Sequence, residues 1–120
     1  MVQLYILKGK ALTPKDENTS DPYLVIKLGD TVIDDKKRSL KEKTNYPDFH
    51  LGYELHTTLP GPSMLSIEVW DDDGFMKPDL IGITHIDLED RFFSDQWQKE
   101  YKDKKPIEER TLFVPKTKAP

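Results

Sequence analysis

The chain has 120 residues, of which 36% are hydrophobic and 33% charged, with a formal net charge of −4 and no cysteine. That length suits one domain with a real core, and two Trp, five Tyr and five Phe argue against disorder. The missing cysteine excludes disulfides, thiolate metal sites and a cysteine nucleophile and is compatible with a reducing cytosol, while bulk acidity disfavours a nucleic-acid partner.

Met1 leads directly into a strand-like run, Val2 to Leu7, without the basic region of a signal peptide. An acidic loop follows from Leu12 to Tyr23, in which Asp16 and Asp21 flank the turn and Pro22 fixes the entry to the next element. From Tyr23 to Leu28 the pattern has period two, with Leu24, Ile26 and Leu28 on one face, and Gly29-Asp30 closes it in a turn before a short strand at Thr31 to Ile33. Five cations then fall between residues 36 and 43. Leu51 to Thr57, Met64 to Trp70 and Leu80 to Ile86 read as three more strands. Leu65, Ile67 and Val69 oppose Ser66 and Glu68 in the middle one.

Asp90 to Lys102 departs from this pattern. Phe93, Trp97 and Tyr101 recur every four residues around Ser94, which predicts one amphipathic helix capped by that serine, its aromatics facing the core. Arg110 to Val114 is the last strand, and residues 115–120 read as a flexible tail. Seven short strands separated by Gly, Pro and Asp clusters, in a chain with nine prolines and six glycines, predict an all-β antiparallel sandwich over residues 1–114, with one short helix before the last strand. No apolar stretch approaches the roughly 20 residues needed to cross a bilayer, so membrane contact would be peripheral unless an anchor lies outside these residues.

The densest chemistry lies between the fifth and sixth strands. Asp71, Asp72, Asp73 and Asp79 fall within nine residues, with Phe75 and Met76 between them. Carboxylates that close repel, and a fold tolerates them mainly when a cation compensates. Hard oxygen donors suit calcium, which takes six to eight of them at about 2.3–2.6 Å. The simpler reading is a solvated acidic turn, and the second acidic loop is what weighs against it. Neither loop is an EF-hand. Placing Gly74 at the glycine position leaves Val69 first and Leu80 last, and starting from Asp16 places Asp21 at the glycine and Lys27 at the end. The two loops would have to converge.

Other chemistry fails on spacing. His50, His56 and His85 are not at zinc-ligand spacing. Asp71 and Asp73 imitate a phosphoryl-transfer D-x-D, but no Gly-rich phosphate loop accompanies them, and no nucleophile elbow is present. An enzyme is not expected.

Ser20-Asp21-Pro22-Tyr23, Val69-Trp70-Asp71-Asp72-Asp73, Asp79-Leu80-Ile81-Gly82 and Lys43-Thr44-Asn45-Tyr46-Pro47-Asp48-Phe49 occur in the order in which the C2 domains carry their motifs, with Tyr46 where Asn is usual. The chain resembles that family. With Asp87-Leu88-Glu89-Asp90-Arg91-Phe92-Phe93 and Pro106-Ile107-Glu108-Glu109-Arg110-Thr111-Leu112, it is most similar to a C2 domain of the ferlins. The resemblance implies an eight-stranded Greek-key sandwich in the circularly permuted, type II arrangement, with calcium loops gathered at one end. It carries over Asp16, Asp21, Asp71, Asp73 and Asp79 as calcium ligands, and the backbone carbonyl of Asp72, whose carboxylate would face solvent. Met76 replaces an oxygen-bearing side chain used for a third ion in some relatives, so two calcium ions are expected.

Five carboxylates held near one another repel by about 1–4 kcal/mol per pair at 4 Å. Two calcium ions would bring four positive charges, neutralise that end and admit anionic headgroups such as phosphatidylserine. Phe75 and Met76 would insert, and Lys77 would meet lipid phosphates. The resemblance also implies a phosphoinositide site on the basic segment. Lys36, Lys37, Arg38, Lys41 and Lys43 supply it, and alternation would place Lys37, Lys41 and Lys43 on one side of an extended strand; a solvated hairpin is the alternative.

The expected function is calcium-dependent binding to anionic phospholipid membranes, within a larger membrane-anchored trafficking or fusion protein and on its cytosolic side. The alternative is a calcium-independent protein-interaction or phosphoinositide-binding module. The eighth strand of the type II arrangement is not legible after Val114, which would leave a sheet edge open to protein partners.

Overall fold

A computed structural model of the chain describes residues 2–13, 20–58, 61–74, 76–93 and 108–115. In chain order the elements are β1 (Val2–Lys8), β2 (Pro22–Leu28), β3 (Thr31–Asp34), α1 (Lys36–Ser39), β4 (Asp48–Leu55), β5 (Met64–Asp71), β6 (Asp79–Asp87) and α2 (Leu88–Phe93). Alternating apolar residues drive them into two antiparallel sheets, one ordered β1-β4 and the other β3-β2-β5-β6. Two hairpins, β2–β3 and β5–β6, lie side by side through β2 and β5, while β4 crosses to the opposite sheet. This is the antiparallel sandwich that the alternation predicts.

The core forms where the two inner faces meet. Leu24, Ile26 and Leu28 of β2 join Leu65 and Val69 of β5, and Phe49, Tyr53 and Leu55 of β4 close over them. At about 25 cal/mol per Å² of apolar surface, this burial is the main force holding the sheets together. Gly29, at φ 57, begins the two-residue loop between β2 and β3, where left-handed backbone is needed and where a Cβ would sit 2.8 Å from Pro62.

Three elements differ from the sequence expectation. The basic segment does not run as an extended strand: residues 36–39 form the helical turn α1. Where β3 ends, this turn takes over the free edge of β2. Asp35 donates its N–H to the Leu24 carbonyl (3.0 Å), the Leu24 N–H donates to Ser39 Oγ (2.8 Å), and the Lys41 N–H donates to the Pro22 carbonyl (2.9 Å). Those bonds satisfy β2 as a strand would.

The last strand is reduced to one bridge, Phe113 with Ile83, closed by two bonds of 2.8 and 3.0 Å. Toward β5's start, the His85 carbonyl accepts from Arg110 Nη2 (2.6 Å) in place of a ladder bond from Thr111. The strand cannot lengthen the other way, because Pro115 has no N–H to donate.

The expected helix starts earlier than Asp90. Asp87 Oδ1 accepts the N–H groups of Glu89 (3.0 Å) and Asp90 (3.2 Å), starting α2 at Leu88. Ser94, Trp97 and Tyr101 lie outside the described residues.

A buried polar cluster pins α1 to both sheets. The Asp35 carboxylate accepts from Arg38 Nε at 3.0 and 3.1 Å, from Arg38 Nη2 at 2.9 Å, and from the Tyr53 hydroxyl of β4 at 2.7 Å. Burial alone would raise the Asp35 carboxyl, but the bonds from Arg38 and Tyr53 outweigh it and hold the group below the usual carboxylate range. Burial, then the bond to Asp35, pushes the Tyr53 hydroxyl well above its ordinary value.

Candidate metal centre

Strand register assembles this site. β2 begins at Pro22 opposite Asp71, and Asp71 lies opposite Asp79 across β5–β6, so three acidic strand ends meet at one end of the sandwich. The Asp21 N–H donates to Asp71 Oδ1 at 2.7 Å, and the Asp72 N–H returns to the Asp21 carbonyl at 3.0 Å. Residues 50 positions apart are thereby locked together. Asp71 is fully buried, Asp21 and Asp73 are half-buried, and Asp79 is exposed. Past Asp73 the chain turns through Gly74 at φ 63, and the Met76 N–H closes onto the Asp73 carbonyl at 3.1 Å.

The basic segment lies beside these aspartates, not on a separate face. Lys36 Nζ stands 2.7 Å from Asp72 Oδ1, so the Asp72 carboxylate, expected to face solvent, is part-exposed and also paired with a cation of the chain. Its bond to Asp72 raises the Lys36 ammonium above its ordinary value. The same ammonium lies 5.8 Å from the centre of the Tyr23 ring. Burial chiefly, and then the charge of Asp34, raises the Tyr23 hydroxyl. Arg38 is spent on Asp35. Lys37, Lys41 and Lys43 make no ion pair among the described residues, and strand β3 carries no lysine.

The loops carrying the sequence-predicted ligands Asp21, Asp71, Asp73 and Asp79 thus gather at one end, but their carboxylates do not form a cage. Asp21 Oδ1 accepts the Lys43 N–H at 2.6 Å, Asp71 Oδ1 accepts from Asp21, and no three acidic or imidazole groups among the described residues converge closely enough to hold an ion. Asp16 and Phe75 lie outside the described residues. The donor chemistry, all carboxylate and carbonyl oxygen, suits a hard divalent cation such as calcium. Met76 is 71% exposed at the turn, and Lys77 beside it is exposed.

Sequence reasoning missed the Lys36–Asp72 pair and the Asp35–Tyr53 bond, since neither has a local signal. The i, i+3 spacing of Asp35 and Arg38 is the one hint of a helical turn.

A family model described as "C2 domain" matches residues 1–104. The chain belongs to the C2 domain family. The domain is 42% identical over 95 residues to mouse Fer-1-like protein 4 and 43% identical over 94 residues to human myoferlin. Each match covers 78% of the chain, but the chain spans only 5% and 4% of the two relatives. A solved structure of two tandem C2 domains from Extended-Synaptotagmin 2 superposes with a TM-score of 0.63 at 27% identity, over 75% of this domain and 30% of that chain. This C2 domain is therefore similar to segments of ferlin proteins. Among its described residues no helix is long and apolar enough to cross a membrane.

Proposed function

We propose that this C2 domain binds anionic phospholipid membranes when calcium loads its acidic end. The observation that carries the reading is the bond from the Asp21 N–H to Asp71 Oδ1, which unites two acidic loops far apart in sequence. Asp21, Asp71, Asp73 and Asp79 would hold calcium with Asp16 and the Asp72 carbonyl, and two ions are proposed. Bound calcium supplies positive charge and open coordination positions for phosphate and carboxylate oxygens.

The chain's own residues do the rest. The Asp71 and Asp21 carboxylates, which accept the N–H groups of Asp21 and Lys43 through Oδ1, would offer their remaining lone pairs to the ion. Met76 is already directed outward, and an apolar side chain there gains about 1–3 kcal/mol at most on leaving water. Phe75 would add to it, and Lys77 supplies a cation at headgroup level. Phosphatidylserine is the proposed lipid. Phosphoinositides would be met through Lys37, Lys41 and Lys43, with Lys36 and Arg38 available only after leaving their carboxylates. The kinship with myoferlin and Fer-1-like protein 4 supports a place in a larger membrane-trafficking protein, on the cytosolic side.

One observation favours a second reading. Lys36 already compensates Asp72, and a domain that carries its own counter-charge can bind phosphoinositides or proteins without calcium. Sedimentation with phosphatidylserine vesicles separates the two. Calcium-dependent pelleting abolished by Asp73→Asn supports the first, and equal pelleting with calcium or chelator supports the second.

A further inference from the structure

Lys36 is not a loosely placed surface lysine. It is the first residue of α1, and α1 is bonded to both sheets. On the β2 side, the Asp35 N–H donates to the Leu24 carbonyl (3.0 Å), and the fully buried Ser39 Oγ takes the Leu24 N–H (2.8 Å). On the β4 side, the Tyr53 hydroxyl donates to Asp35 Oδ2 at 2.7 Å, and Arg38 Cζ lies 5.4 Å from the centre of the Tyr53 ring. Tyr53 is buried and lies opposite Leu4 of β1, so this bond ties the turn to the sheet across the core from Asp71 and Asp79.

An exposed ion pair ordinarily contributes little, because two long side chains must be immobilised to make it. Here the backbone is fixed at both ends. The seating of α1 holds Lys36, and the bond from the Asp72 N–H to the Asp21 carbonyl (3.0 Å) holds the other partner. How firmly Lys36 stays on Asp72 therefore depends on how firmly α1 is seated, and Tyr53 supplies the bond from the far sheet.

We propose that Tyr53 is a positioning residue for the metal centre: through Asp35 and α1 it seats Lys36 against Asp72, and so sets how much calcium the acidic end needs. The inference deepens the calcium reading and rests on it. Lys36 opposes the ion directly, by its charge, whereas Tyr53 acts only through Lys36. Freeing α1 from β4 lets the ammonium leave Asp72 more easily and weakens that opposition. Contiguous contacts do not by themselves establish such coupling, and a double-mutant cycle measures it.

Calcium is titrated by calorimetry into the 120-residue chain, into Tyr53→Phe, into Lys36→Met and into the double variant. Tyr53→Phe should bind calcium about twofold more tightly, and should add nothing in the Lys36→Met background. Ser39→Ala loosens α1 from β2 instead, and gives the same pair of measurements where Tyr53→Phe does not fold. A second readout needs no metal. In the calcium-free chain the Asp72 amide should exchange about twofold faster in Tyr53→Phe, and no faster in the double variant than in Lys36→Met. Unchanged or weaker calcium binding by the folded Tyr53→Phe chain, or a gain that persists without Lys36, overturns the inference and leaves the calcium reading standing. Absence of calcium binding by both the unmodified chain and Lys36→Met overturns that reading, and the inference with it.

Discussion

Lys36 Nζ and Asp72 Oδ1 stand 2.7 Å apart, joining the helical turn after β3 to the acidic loop after β5. The pair places a tethered cation at the end of the domain proposed to take calcium. A calcium ion arriving there meets a positive charge that the chain itself supplies, and Coulomb repulsion opposes loading.

Lys36→Met should therefore raise calcium affinity, by about two- to fivefold, the range of an exposed charge interaction. Calorimetric titration at low ionic strength measures it, and added salt should shrink the difference. A drop in affinity would mean that Lys36 organises the loop more than it opposes the ion.

The Asp35 cluster makes a different prediction. The carboxyl is held below its ordinary value near 4, so as pH falls the unfolded chain takes up a proton before the folded one does. The stability this group contributes is complete above about pH 4 and is lost as pH drops through the lowered folded value. Asp35→Asn should flatten that acid limb. Tyr53→Phe should cost about 1–2 kcal/mol at neutral pH by removing one donor to a buried carboxylate. Denaturant melts from acid to neutral pH follow both.

Gly82 faces Leu112, and a Cβ on residue 82 would lie 2.6 Å from the Leu112 Cβ. Gly82→Ala should push the 108–115 segment off β6, at a cost of about 1–3 kcal/mol. Amide exchange should speed up at Phe113 and Ile83, whose N–H groups close the bridge.

Met76→Ala, which adds no oxygen donor, tests the exposed turn. It should weaken vesicle binding about tenfold, while calcium stoichiometry measured without lipid stays unchanged. Equal sedimentation of both forms would remove Met76 from the membrane contact.

The sandwich is readable from the chain because period-two alternation is hard to mistake. In Met64 to Trp70 a one-residue slip would expose Leu65, Ile67 and Val69 together. The turn at 36–39 is not readable, because its bonds go to Leu24 and Pro22, an edge that exists only after β2 and β3 have paired. Arg110 to Val114 has the composition of a strand, yet its ladder is a single bridge, with Pro115 lacking the next N–H and the Arg110 side chain on the His85 carbonyl. At the acidic end, the resemblance implies that Asp21 and Asp71 converge, and local spacing alone does not. It says nothing of Lys36, since an ion pair between residues 36 and 72 depends on where α1 docks.

Isothermal calorimetry of calcium titrated into the 120-residue chain reads the acidic end directly as an ion site. Saturable binding of two ions is expected, reduced by Asp79→Asn, an exposed change that leaves the core intact. Absence of any binding heat up to millimolar calcium would contradict it.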